Sequence, residues 1–404
     1  MAGNNLLTSS IIVKRALAVL TDKIQVLKMV NRQYDTQFGY KGGAKAGDTV
    51  SVRVPQRAVV RSGRIMDLQP QIDKVVPVTI SNYHGVDTGA TSAEMAMQID
   101  DYQEQFIDSK IGDLLVNVES DFINNVTQLV PAAVGDYGAF DDQITVLQAK
   151  AYLDSQLAPM NDRNLIVNTY SQVDVVNSLK SLFNDQSKIA EQYRKGRMST
   201  DTLGFDWYQS NLTSTIVRGT GANYVLNGVP ADGATSIIVA TGTGTVKQGD
   251  TFQITGVYDV HPQTKDTLPN LKMFTVTTAV TVGGAGTWQI SPALIYTGSE
   301  KNVSAAPAAN APVTIKGVSG TSYAQNLAFS KDAFYFVTAD LPNPPASYGV
   351  DSASATYQGI TLRFQQGFNM VNDEFMSRFD IVWGGGILRP ELAVRIPATI
   401  TPGF

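Results

Sequence analysis

Residues Gln103–Val130 read QEQFIDSKIGDLLVNVESDFINNVTQLV, and this stretch decides the fold. Ile107, Ile111, Leu114, Val118, Phe122, Val126 and Leu129 recur at steps of three or four, which places them on one face of a helix. Asp108, Lys110, Asp113, Asn117, Glu119, Asp121 and Asn124 fill the opposite face, suited to water or to another subunit. Asp100 or Asp101 can cap the start, and Glu104 and Asp108 complement the helix dipole. Pro131 ends the pattern, with Gly135 and Gly138 beyond it. At full length the rod is about 40 Å long. It is flanked by β-rich segments, which points to a building part more than to a catalytic pocket.

Before it, residues 8 to 30 predict one or two short helices, with Thr8, Ser9 or Ser10 as caps and Ile12, Ala16, Val19 and Leu20 as the stripe. Such an arm can pack on its own domain or reach onto a neighbour. Residues 40 to 92 change character. Val50, Val52 and Val54 alternate with polar residues or proline, and Val76, Val78 and Ile80 repeat the pattern, the period-two signature of half-buried strands. A long two-stranded hairpin is expected, with Pro55 and Pro77 marking exposed edges. An isolated hairpin is marginal in water, so a projecting one implies a partner surface. Between Lys41 and Ile65 it carries Lys41, Lys45, Arg53, Arg57, Arg61 and Arg64 against Asp48 alone. That run reads as a contact with acidic faces of neighbouring subunits, as a nucleic-acid contact, or as a solvated face. No interleaved aromatics offer stacking platforms for bases.

After the long helix, Asp141 or Asp142 opens a helix with Ile144, Leu147 and Ala151 as its stripe, ending near Pro159. Leu165-Ile166-Val167 predicts a short buried strand, and Ser171 caps a helix carrying Val175, Val176, Leu179 and Leu182. No arginine occurs between Arg218 and Arg363, and Thr, Val, Gly and Ala dominate residues 219 to 325. Strands are expected at Ser236–Ala240, Thr251–Val257, Met273–Val280, Trp288–Ile290 and Val313–Val318, a spacing that suits a small all-β barrel or sandwich inserted into an α/β domain. In the tail, Ile360–Phe364, Arg378–Trp383 and Leu392–Ile396 read as strands pairing back into the α/β domain, the middle one broken by Gly384-Gly385-Gly386.

Composition excludes more than it selects. The 404 residues are 43% hydrophobic and 17% charged with a net charge of −5, so no global field favours nucleic acid. Cysteine is absent, which removes disulfides, thiolate ligands and cysteine nucleophiles together. His84 and His261 are the two histidines, each read as a surface or turn residue, so N/S-ligated zinc and non-haem iron sites lack a ligand set. No Gly-x-Ser-x-Gly elbow, dinucleotide fingerprint or phosphate loop occurs. The expectation is a protein with no enzymatic activity, no cofactor and no metal. MAGNNLLTSS lacks a basic n-region, Lys14 and Arg15 interrupt the apolar run behind it, and no run approaches the roughly 20 apolar residues that span a bilayer. A soluble protein made in the cytosol of its producer is expected.

The tail Arg378-Phe379-Asp380-Ile381-Val382-Trp383-Gly384, followed by Leu388-Arg389-Pro390-Glu391-Leu392-Ala393, resembles the closing strands of coat proteins of short-tailed, Salmonella-type bacteriophages. Asn326–Phe334 resembles the stretch where those chains leave an insertion, and Gly249-Asp250-Thr251-Phe252 with Ile254, Gly256 and Val257 resembles a Gly-Asp-led strand within it. The order of parts agrees over nearly the whole chain. The resemblance implies an α+β fold, the Hong Kong-phage type capsid fold, with a long spine helix, an extended β-hairpin loop and an inserted all-β domain. Its expected parts are an N-terminal helical arm (1–39), the extended loop (40–92), a peripheral domain with the spine helix (93–139), a first axial part (140–218), the inserted β-barrel (219–325) and a second axial part with the closing strands (326–404). It implies a major capsid protein that assembles with itself as pentamers and hexamers into an icosahedral virion shell around double-stranded DNA, without sequence-specific contacts. Scaffolding and portal proteins are implied partners, a membrane is not, and assembly is expected in the host bacterial cytoplasm. Arg53, Arg57, Arg61 and Arg64 would then serve intersubunit contacts. The insertion is charge-poor, with Lys247, Lys265, Lys272, Lys301 and Lys316 against Asp232, Asp250, Asp259, Asp266 and Glu300, unlike the long charged loop that family members often carry there. Rival readings are an encapsulin-type compartment shell and a secreted β-rich binding module.

Overall fold

A helix that is apolar on one stripe must lay that stripe on something, and in the computed structural model the spine helix does so along its length. The structure describes residues 9–32, 49–54, 57–58, 63–66, 68, 75–91, 108–138, 140, 143–179, 202–280, 284–357 and 359–399. They divide into two compact units, Met1–Val52 with Val75–Phe122 and Phe334–Gly386, and Arg53–Lys74 with Ile123–Ala333 and Ile387–Phe404. The helix, α2, runs Asp108–Leu129. It buries Ile111, Leu114, Val118, Phe122 and Val126 as the spacing predicts, and leaves Asp113, Asn117 and Asp121 exposed. Ile107 and the predicted caps lie outside the described residues.

In the first unit, α1 (Ser9–Lys23) packs against β15 (Val350–Tyr357) and β16 (Ile360–Asn369). Its buried stripe is Val13, Ala16 and Leu17, with Ile12 only half-buried. Ser9 Oγ donates to Asp351. The predicted hairpin strands are β1 (Thr49–Arg53) and β2 (Val75–Thr79), which form a two-stranded sheet. A second sheet has the order β14 (Phe334–Ala339), β17 (Glu374–Ile387), β16, β15, with β3 (Asn82–Thr91) also paired to β17.

Two sequence expectations change here. The tail strands β16 and β17 do not rejoin the α/β domain but pair with β3 and β15 in this separate sheet. And β17 is not broken at Gly384–Gly386 but runs through it. The glycines are there for proximity. A Cβ on Gly384 would stand 2.2 Å from the carbonyl oxygen of Thr79, and one on Gly385 2.6 Å from the Phe122 ring. Around them Trp383 stacks on Phe336 at 5.6 Å and meets Phe122 edge-on at 6.3 Å, the arrangements that aromatic quadrupoles favour.

In the second unit, β13 (Ser322–Ser330) is the hub. It pairs antiparallel with β18 (Ala393–Ala398), β4 (Arg163–Asn168) and β6 (Thr215–Val217), and β4 pairs parallel with β5 (Asp206–Ser210). All six residues of β4 are buried, as a fully covered parallel strand requires. Helix α3 (Gln143–Ser155) packs on β18 but buries Thr145, Val146, Ala149 and Leu153. The predicted stripe is the wrong face: Ile144 and Leu147 are exposed. The helix is apolar on both sides, and the face carrying Val146, Ala149 and Leu153 is the one that packs. Helix α4 (Thr169–Leu179) starts two residues before the predicted cap: Asn168 Oδ1 accepts the Tyr170 amide, and Ser171 is buried.

Between β6 and β13 the chain forms a closed barrel in the order β10 (Thr267–Val276), β11 (Gly286–Leu294), β8 (Ala234–Ala240), β7 (Tyr224–Leu226), β12 (Pro312–Ile315), β9 (Thr251–Val260). Tyr224, Phe252, Phe274 and Trp288 fill it, with Tyr224 and Phe252 edge-on to Trp288 at 4.8 and 5.4 Å. Because β6 and β13 pair directly, Ile216 opposite Tyr323, the barrel's two connections lie side by side. That geometry lets a guest domain interrupt a host strand pair at little cost.

Gly385→Ala is expected to destabilise the purified chain by about 3 kcal/mol or more, because overpacking a core forces ring and backbone to shift. Gly367→Ala, whose Cβ would sit 4.0 Å from Val350, is expected to stay within about 0.5 kcal/mol. Urea unfolding of the two variants checks both.

Candidate functional site

The four arginines of the basic loop are the sequence-level candidates, and the structure places them differently. Arg53 closes β1 and is exposed, and Arg64 is exposed as well. Arg61 lies outside the described residues. Arg57 is half-buried: its guanidinium stands 3.4 Å from Glu391 Oε1, and its backbone N–H donates to Glu300 Oε1 at 3.3 Å. Arg389 reaches the same Glu391 oxygen at 3.3 Å. The Arg-Pro-Glu turn therefore ties the loop within the second unit, and Glu300 ties it to the barrel.

Three of the insertion's ten charged residues, Asp250, Asp259 and Lys272, are buried. Lys272 Nζ lies 2.9 Å from Asp259 Oδ1, both side chains 7% exposed, and Gln156 at the end of α3 donates to Asp259 Oδ2 at 2.9 Å. Gln156 and Lys272 thus hold one carboxylate from two elements, which fixes the barrel against α3. Asp232 accepts from Tyr296 N and Thr297 Oγ1, and Lys265 Nζ donates to the Lys301 carbonyl. Sequence reasoning missed this anchor. Its one available signal is a lone acid and a lone lysine on neighbouring strands of an otherwise charge-poor barrel.

Two buried carboxylates shape the first unit. Glu119, on α2, accepts the backbone N–H groups of Gln25, Val26 and Leu27 at the 3₁₀ turn Val26–Lys28, docking the N-terminal arm on the spine helix. Burial pushes its carboxyl above the usual value of 4.5, against the pull of those donors and of Lys28. Asp380, on β17, is held by Arg363 and Arg378 at 2.7 Å each. Burial raises its pKa, but the hydrogen bonds from Arg378, Arg363 and Tyr83 outweigh that and leave it below 3.8.

Neither histidine departs towards chemistry. His261 Nδ1 accepts the Thr264 amide in a turn, as expected. His84 is not a turn residue: it lies inside β3, accepts Trp383 Nε1–H on Nδ1 at 3.0 Å, and so presents Nε2–H to Asp121 at 2.9 Å. Among the described residues no group of three His, Cys, Asp or Glu could hold a metal, and no helix is long and apolar enough to cross a membrane.

Comparison with known proteins places this architecture. The family described as P22 coat protein - gene protein 5 matches residues 1–397. A major capsid protein of Acyrthosiphon pisum secondary endosymbiont phage 1 is 32% identical over 152 residues, covering 35% of this chain and 35% of that relative's length. A solved structure of Mycobacterium phage Che8 is similar over 91% of this chain and 89% of that chain, with 12% identity and a TM-score of 0.45. The CUS-3 coat protein I-domain is 27% identical over 23% of this chain and 93% of that chain, with a TM-score of 0.19.

Opposite pH responses are expected from the two carboxylates. A folded-state pKa raised above the unfolded one means the docked arm binds the Glu119 proton more tightly, so docking strengthens as pH falls from neutral towards 4.5. Asp380 has a lowered pKa, so its stabilisation is present above 3.8 and fades as pH drops through the folded value. Hydrogen exchange at the Val26 and Leu27 amides, in wild type and Glu119→Gln, checks the first: exchange slows with mild acid in wild type, beyond its intrinsic pH dependence, and not in the variant. Lys272→Met is expected to cost about 3 kcal/mol by stranding buried Asp259, and pairing it with Asp259→Leu to recover most of that loss in urea unfolding.

Proposed function

This chain belongs to the P22 coat protein family, the major capsid proteins of tailed phages, and on that premise we propose how its parts serve a shell. The match of that family over residues 1–397 carries the reading. It favours neither a compartment shell without a virus nor a secreted binding module. The fold is accordingly the α+β capsid fold of the Hong Kong-phage type.

Copies of the chain close as pentamers and hexamers into an icosahedral shell around double-stranded DNA. The sheet of β4, β5, β13 and β18 with α3 and α4 forms the axial domain, α2 is the spine of the peripheral domain, and residues 219–325 form the inserted barrel. Exposed Ile144, Leu147, Tyr170 and Val173, on the outer faces of α3 and α4, support a role in contacts between neighbouring axial domains, since apolar groups left bare on adjacent helices suit burial against another copy. The extended loop lies on the adjacent subunit, with Arg53, Arg61 and Arg64 meeting its acidic side chains and Arg57 linking the loop to its own chain through Glu391 and Glu300. A net charge of −5 suits a wall that encloses DNA without gripping it. Scaffolding and portal proteins direct closure, and assembly takes place in the cytoplasm of the host bacterium.

Electron microscopy of the purified protein, alone and co-expressed with neighbouring phage genes, tests this. Closed shells or hexamer sheets are expected; a uniform population of 43.5 kDa monomers in both preparations would sink the reading. Arg64→Glu is expected to slow shell formation several-fold in light scattering, while leaving urea unfolding of the free subunit within about 0.5 kcal/mol.

A further inference from the structure

Two arginines lie buried in the second unit with no direct ion pair among the described residues, both drawn by the field of Asp250. Arg395, on β18, is 2% exposed and spends its Nη atoms on the Gly249 carbonyl, at 2.9 Å, and on Thr251 Oγ1. Arg218, where the chain leaves β6 for the barrel, is 8% exposed and donates to the carbonyls of Gly219 and Ile315. Neither forms an ion pair among the described residues, and in both the Nε–H has no acceptor. Arg218, Arg395 and Lys316 line one cavity, together with Tyr137, Gln325 and Asp250. Asp250 is the single acid in that lining, and its oxygens already accept the amides of Gly219 and Lys247. The lining thus holds three basic residues and one acidic one.

An unmet buried N–H costs about 1–3 kcal/mol, more where the group is charged. Two such donors on residues that line one cavity, with an excess of positive charge, suit a ligand that is small, negative and accepting. The cavity has room for one water-sized occupant, and a chloride ion, somewhat larger than a water, fills it.

We propose that this cavity is a binding site for one small monovalent inorganic anion of chloride size, accepting from the Nε–H groups of Arg218 and Arg395 and balanced further by Lys316. Gln325 Oε1 is the third unpartnered buried atom of the lining. Burial pushes the Arg395 guanidinium down from its ordinary value, against the pull of Tyr137 and Asp250, so a bound anion stabilises the charged form where its surroundings do not suffice. The anion joins β18 of the host sheet to Arg218, just after β6, and to Lys316, just after β12. It therefore serves as a removable rivet at the barrel's root. This site is independent of the shell reading, since it concerns the folded chain alone.

Chloride titration of the full-length subunit, followed by chloride NMR line width, tests it in wild type, Lys316→Met and Arg395→Met. Wild type is expected to broaden the line saturably and bromide to reverse the broadening. Lys316→Met is expected to weaken the midpoint about tenfold, and Arg395→Met to abolish it. Arg395→Met that fails circular dichroism is set aside, and Lys316→Met, at a half-buried position, then decides alone. Equal line widths in wild type and Lys316→Met, or no saturable broadening in wild type, overturn the proposal and leave a buried water as the occupant.

Discussion

The first unit depends on a contact in which no side chain takes part. The backbone of Gly384 runs so close to the Thr79 carbonyl that even a methyl group has no space, and Gly385 does the same against the Phe122 ring. Close approach of this kind brings the end of β2, the spine helix and β17 within one packing layer. Trp383, immediately before the glycines, then stacks on Phe336 and donates its indole N–H to His84. The aromatic cluster is available because the glycines leave it room. A dense interior propagates small volume changes, so the position tolerates less than its lack of side chains suggests.

The parts of this architecture visible in the sequence are those whose burial is one-sided. The spine helix has a clean apolar stripe, and Ile111, Leu114, Val118, Phe122 and Val126 are buried as their spacing demands. The barrel strands alternate about an interior filled by Trp288 and Phe252, so turn-marked runs of Thr and Val locate five of the six, although β10 begins six residues before the expected Met273 and the three-residue β7 is not anticipated. What the sequence conceals follows the same logic. Residues 82–89 of β3 alternate between half-buried and exposed, with none of them fully buried to raise a signal. The helix α3 is apolar on both faces, and which face packs is decided by β18. Glycines 384 to 386 look like a breaker because local propensity does not report a neighbour's distance.

Among the candidate residues, the basic character of the loop was plain and the destinations of its charges were not. Arg57 finds Glu391 more than three hundred residues along the chain, a separation no local pattern encodes. Lys272 and Asp259 were visible as charges of the insertion, but their pairing depends on strand register across a bulge between β9 and β10. Gln156 carries no formal charge and gave no signal at all.

That anchor also explains why a barrel with so little charge keeps any of it inside. A buried ion pair adds little net free energy over well-packed apolar groups, because desolvation consumes most of the attraction. Its effect is on alternatives. If the barrel turned or slid on α3, Asp259 would lose Gln156 or Lys272 and stand unpaired in a dry interior, at a cost of several kcal/mol. The apolar core of the barrel, ringed by Tyr224, Phe252, Phe274 and Trp288, stabilises the guest domain but is indifferent to its orientation on the host. With no cysteine to fix that orientation covalently, the polar contacts at the root must do it: Asp259 with Gln156, and Arg395 with Gly249 and Thr251. For the shell proposed above, one permitted orientation of the barrel is worth more than extra stability.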